Sequence, residues 1–147
     1  MNTHPTFARA VLGGFVGTVV MTGMMYMVAP MMGLHMDIAA MLGSMLGGSW
    51  IAGMMMHFVN GSVIFPAVYA YALYAHLPGS SAIRGTIWGL ALWLVAQIVV
   101  MPMMGAGLFS SAMGGAMAAM GSLIGHLLYG SLLGIIASSP EPRVAHA

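Results

Sequence analysis

Two histidines lie deep inside apolar sequence, in similar surroundings. His57 opens His57-Phe58-Val59-Asn60-Gly61-Ser62, and His126 opens His126-Leu127-Leu128-Tyr129-Gly130-Ser131. Each falls about seven residues into a stretch long enough to cross a bilayer, which at 1.5 Å per residue is roughly 10 Å below the surface. An ionisable side chain at that depth is a functional candidate by default. Three chemistries fit the pair. The imidazoles can be polar glue, hydrogen-bonded to Thr18, Thr22, Asn60, Gln97 or a backbone carbonyl. They can be the two axial ligands of haem b, with Gly61 and Gly130 one turn away leaving room for the porphyrin. Or they can hold copper with help from the thioethers of Met54, Met56 and Met120.

The methionines bear on this choice. There are 19, and apart from Met1 all lie between Met21 and Met56 or between Met101 and Met120. Methionine is a flexible gap-filler, which explains such clusters without any ligand. A soft thioether lining also selects Cu(I). Adjacent methionines on a helix point about 100° apart, so the triple Met54-Met55-Met56 cannot all serve one ion.

The elements that must position these groups are membrane helices. Five charged side chains, Arg9, Asp37, Arg84, Glu141 and Arg143, cannot build a water-facing surface over 147 residues. A mean hydropathy of +0.98 agrees. Four stretches reach the length a span needs, about Ala10 to Ala29, Trp50 to Tyr74, Gly85 to Met101 and Ala119 to Ala137. They are continuously apolar, so helices rather than barrel strands are expected. The first follows a single arginine and lacks a small-residue cleavage site, so it is read as a retained span and not a signal peptide.

All three arginines fall on one side of such a four-span chain, with both termini. The positive-inside rule puts that side in the cytoplasm. Tyr69, Tyr71, Tyr74 and Trp88 then sit near the inner boundary and Trp50 near the outer one, as interfacial aromatic belts do.

The chain also repeats. Pro30-Met31-Met32-Gly33 returns as Pro102-Met103-Met104-Gly105, and each copy is followed by one of the histidine segments. Unit one runs from about 9 to 75 and unit two from about 84 to 138. The expected architecture is therefore one all-α membrane domain covering 1–147. It is a four-helix bundle of two parallel, pseudo-symmetric hairpins with cytoplasmic termini. Each proline should end its span at the outer surface. Asp37 should cap a short interfacial helix over Ile38 to Leu46, with Ser110 or Ser111 capping a counterpart. Gly13/Gly17, Gly85/Gly89 and Gly121/Gly125 have the spacing that lets helix backbones approach, within the bundle or in a homodimer or larger membrane complex.

Other chemistry is excluded or unsupported. Without cysteine there are no disulfides, thiolate zinc sites or Fe–S clusters. A net charge of +1 offers nothing to nucleic acid. No carboxylate lies within a span and no nucleophile has a base, so an enzyme is not expected. A small-solute transporter would need a continuous polar path, which Asn60, Gln97 and the histidines begin but do not complete. His4, His35, His76 and His146 are expected to be solvated, and the tail Ser139-Pro140-Glu141-Pro142 disordered.

The Pro-Met-Met-Gly pieces carry a resemblance, together with Met36-Asp37-Ile38-Ala39-Ala40-Met41-Leu42-Gly43, His57-x-x-x-Gly61 and Ser122-Leu123-Ile124-Gly125-His126. The chain resembles, from about Arg9 to Ala137, an uncharacterised family of small four-span bacterial membrane proteins classed as a domain of unknown function. The resemblance implies a multi-pass protein of the bacterial inner membrane with four helices. It implies no activity and no site residues.

Overall fold

The computed structural model describes residues 4–138. Among these residues the ordered elements are all helical. Four helices are long and apolar enough to cross a membrane: α1 (Phe7–Met32), α3 (Trp50–Leu73), α4 (Ser81–Met103) and α5 (Gly115–Ala137). A short helix, α2 (Ile38–Ser44), lies between α1 and α3. The expected disordered tail and His146 lie outside the described residues.

Prolines shape three of the spans. A proline brings no N–H, and its ring collides with the carbonyl four residues back. Ahead of Pro30, Pro66 and Pro102 the helix widens into π-turns over Met24–Val28, Asn60–Ile64 and Ala96–Val100. The residue before each proline reaches five back for its acceptor: Ala29 to Met24, Phe65 to Asn60, Met101 to Ala96. The widened turn makes space for the ring, so the chain carries on. Pro66 lies mid-span; beyond Pro30 and Pro102 the spans end within two residues, at Met32 and Met103, rather than at the ring itself.

Glycine supplies the stop. Gly33 and Gly105 turn left-handed at φ 75° and 78°. In both copies the next N–H then bonds back, Leu34 to Ala29 at 3.0 Å and Ala106 to Met101 at 2.9 Å. That is the helix-ending arrangement glycine favours.

Asp37 caps α2 as expected, accepting from the Ala40 N–H at 2.9 Å. Its carboxylate also accepts from the Tyr26 hydroxyl and from the Trp50 indole N–H at 3.0 Å, so one side chain ties α1, α2 and α3 together. Ser110 and Ser111 do not cap a helix. A single 3-10 turn, Leu108–Ser110, fills that loop, and α5 starts without a side-chain cap. Ser110 is fully buried and donates instead to Gln97 Oε1 at 2.9 Å.

The spans do not close into an evenly packed bundle. Close backbone contacts join α3 to α1, α1 to α5, and α5 to α4; no comparable contact joins α3 to α4. Glycine sets the close approaches. A methyl group on Gly85 would run into the Gly130 carbonyl, and one on Gly89 into the His126 carbonyl. One on Gly13 would come within 3.1 Å of the Leu133 backbone. The core cluster sits toward the end that carries the termini and includes Ala10, Tyr69, Tyr74, Tyr129, Leu133 and Ala137. Tyr69 and Tyr74 are buried there, at 0% and 2% exposure; of the expected inner aromatic belt, Tyr71 is exposed and Trp88 is half-buried against the core. Arg84 lies 4.6 Å over the Tyr74 ring.

Candidate functional site

Toward the opposite end, the loop end, the missing α3–α4 contact leaves space. A cavity of about 450 Å³ opens among the four spans, with α2 along one wall. Twelve of the 19 methionines line it, including Met21, Met56, Met101 and Met120. The polar side chains on its wall are those of Thr18, His57, Asn60, Ser122, His126 and Tyr129. An apolar cavity with a few convergent polar groups is the usual form of a small-ligand site.

Both histidines reach this cavity, and each is fixed by a partner in its own half. Thr18 and Thr22 bond back to carbonyls one turn earlier, Gly14 and Thr18 respectively, each at 2.7 Å. The Thr22 hydroxyl has one proton, and the shorter of its two contacts assigns that proton to the Thr18 carbonyl. His57 Nε2, 3.0 Å from Thr22 Oγ1, is therefore the N–H donor. His57 Nδ1 keeps its lone pair. On α5, His126 Nδ1 lies 2.8 Å from the Ser122 carbonyl, which can only accept. Nδ1 is then the protonated nitrogen and Nε2 keeps its lone pair. Neither lone pair has a hydrogen-bond partner among the described residues, and no ring contact joins the two imidazoles. Carbonyl or hydroxyl support behind one ring nitrogen, with the other nitrogen open, is how proteins orient a ligating histidine.

A second layer stands behind His126. Gln97 is fully buried and does not line the cavity. Its Oε1 accepts from Ser110, and its Nε2 donates to Ser122 Oγ at 3.4 Å, which lies 3.4 Å from His126 Nδ1. The chain of bonds runs from the loop Leu108–Ser110 to the imidazole. Phe109 and Ser110 hold positive φ angles of 49° and 56°, where side chains rarely sit. Gln97, the lone carboxamide of its span, was legible as a partner for a histidine. Its link to Ser110 was not, because the turn that delivers Ser110 follows no sequence periodicity.

The remaining sequence candidates divide. Met56 and Met120 line the cavity; Met54, on the same helix as Met56, does not. The expectation that Gly61 and Gly130 make room for a porphyrin is corrected. A methyl group on Gly61 would meet Thr18, and one on Gly130 would meet Gly85, so that room is taken by neighbouring helices. Gly61 still touches the cavity, and its carbonyl accepts from Tyr129 at 2.7 Å, tying α3 to α5. Gly130 does not line the cavity. Among the described residues no three His, Asp or Glu side chains gather as a metal cluster. A metal site among these residues would take at most two donors from His, Asp or Glu side chains.

No curated protein and no solved structure matches the chain. A family described only as being of unknown function, DUF6789, matches residues 5–147. With four membrane-length helices and a match over nearly its whole length, the chain belongs to the DUF6789 family.

Proposed function

We propose that this chain is a non-enzymatic membrane protein that binds copper(I) in the cavity at its loop end. His57 Nδ1 and His126 Nε2 are the imidazole donors, and thioethers such as Met56 and Met120 complete the shell. The observation that carries the reading is the hydrogen bonding of the two imidazoles at the cavity. Each imidazole bordering one methionine-walled cavity has one nitrogen bonded behind it and one lone pair free. Two imidazoles and soft sulfur ligands suit Cu(I) and suit hard cations poorly.

Haem b is the second reading, favoured by the size of the cavity, which falls within the range of small-molecule sites. Copper is preferred because the glycines that would clear a porphyrin face are occupied by helix packing. We further read the two matched Pro-Met-Met-Gly ends as a pseudo-two-fold relation between hairpins, the termini as cytoplasmic, and the membrane as the bacterial inner membrane. On that reading α2 lies in the outer interface, and the glycine faces serve the monomer before any homodimer.

The test uses protein purified in mild detergent. Cu(I) is titrated against a chromogenic chelator, and an oxidised-minus-reduced spectrum is taken on the untreated sample. Stoichiometric Cu(I), lost in His57→Ala and in His126→Ala, is the expected result. A Soret band with iron would replace copper by haem. Neither metal bound, with both variants merely less stable, would leave a ligand-free packing role. Solute uptake by vesicles carrying the protein would instead establish transport.

A further inference from the structure

A smaller cavity of about 280 Å³ lies at the loop end, lined by Gly33, Leu34, His35, Met36, Met113 and Gly114. The residues come from both long loops, one from each half of the chain. Gly33 and Gly114 are left-handed, at φ 75° and 92°, and turn the two backbones around the space. His35 is exposed and makes no hydrogen bond among the described residues. Leu34 and Met36 line this cavity and the larger one alike, so the two are neighbours across a shared wall.

The donor set is one imidazole and two thioethers. No carboxylate lines the pocket. Asp37, the next residue along, is committed to Tyr26, Trp50 and the Ala40 N–H. Hard divalent cations want oxygen ligands, so the set points to a soft monovalent ion. We propose that this pocket is a capture site for Cu(I) at the mouth of the larger cavity. The ion is taken by His35, Met36 and Met113 and passed across Met36 to His57 and His126. The transfer exchanges ligands on Cu(I), which stays in one oxidation state throughout. The proposal rests on the copper reading of the larger cavity and adds the route into it.

The experiment follows Cu(I) loading over time from a chromogenic Cu(I) chelate. It compares the wild-type protein, His35→Ala, Met113→Leu, His57→Ala/His126→Ala and the triple variant that adds His35→Ala. Gel filtration and circular dichroism check that each variant is folded. Loss of a capture ligand should slow loading about tenfold, the lower end of what a lost contact at a metal site costs, while the final stoichiometry holds. The double histidine variant should lose the stoichiometric ion and keep only weak Cu(I) binding, seen with Cu(I) in excess, that the triple variant loses. Equal loading rates for wild type and His35→Ala, with His57 and His126 still required, would overturn the capture site alone. No Cu(I) on the wild-type protein would overturn the copper reading and this inference together.

Discussion

The four spans of this protein pack in opposite ways at the two ends. Toward the termini, helices approach until glycine meets backbone, and the large side chains Tyr69, Tyr129 and Leu133 fill what remains. Toward the loops, α3 and α4 have no comparable contact, and flexible methionines line the space between them. If the two hairpins are related by a pseudo-two-fold, the α1–α5 contact has the α3–α4 gap as its counterpart. The cavity then lies where one of two equivalent interfaces was left open. Lipid supplies no hydrophobic drive between helices, so close packing of small residues must hold the assembly at one end. That leaves the other end free to carry a site.

Breaking the tight end should have the largest effect. Gly85→Ala places a methyl group against the Gly130 carbonyl and the Gly134 backbone. We expect a loss of about 3 kcal/mol, at the upper end for overpacking, read as a shifted unfolding midpoint in denaturing detergent. Gly23 is the matching control, because a methyl group there meets nothing within 4 Å. Gly23→Ala should be neutral or stabilising by up to about 1 kcal/mol, as in any open helix interior. Equal effects at the two sites would erase the distinction between the ends.

The open end has one buried polar chain, and cutting it should cost less. Gln97→Leu leaves Ser110 without its acceptor and Ser122 without a donor. A loss of about 1–3 kcal/mol is expected for buried groups left unpaired. The loop Leu108–Ser110, no longer held at positive φ, should also be cut faster by protease. Unchanged proteolysis would mean that the loop holds itself.

The smallest effect concerns acid. Burial pushes the Asp37 carboxyl up, but hydrogen bonds from Tyr26, the Ala40 N–H and Trp50 outweigh it and hold the group below the usual carboxylate range. A depressed carboxylate stabilises the fold above its unfolded value of about 3.9 and loses that contribution as pH falls through the folded value. Trp50 fluorescence should therefore be flat from neutral pH down to about 5 and change only in stronger acid. In Asp37→Asn the acid step should vanish. A transition near neutral pH would implicate some other group.

Much of this was legible residue by residue. Spans follow from the length of apolar runs, and the Asp37 cap from a short acceptor ahead of a helical pattern. Thr22 was one of the few polar residues in a position to meet His57. Other features were not local. Pro30 and Pro102 read as ends because a missing N–H usually stops a helix; whether the five residues before them widen depends on the neighbours. Gly61 and Gly130 read as space because glycine has no side chain, yet a sequence does not say what fills that space. His35 read as merely solvated, since only the fold brings Met113 and Gly114 of the other loop beside it.

By itself the sequence determined a membrane protein of four helices, with methionines gathered at one end and two imidazoles among them. Those outcomes depend on the cost of exposing polar backbone to lipid, which acts on each segment separately. The tertiary structure decided which helix pairs touch and which stay apart. It also decided which nitrogen of each imidazole is left free, and that the two loops share a pocket. These depend on contacts between residues far apart in the chain, where shape and hydrogen-bond direction act together and no single segment carries the answer.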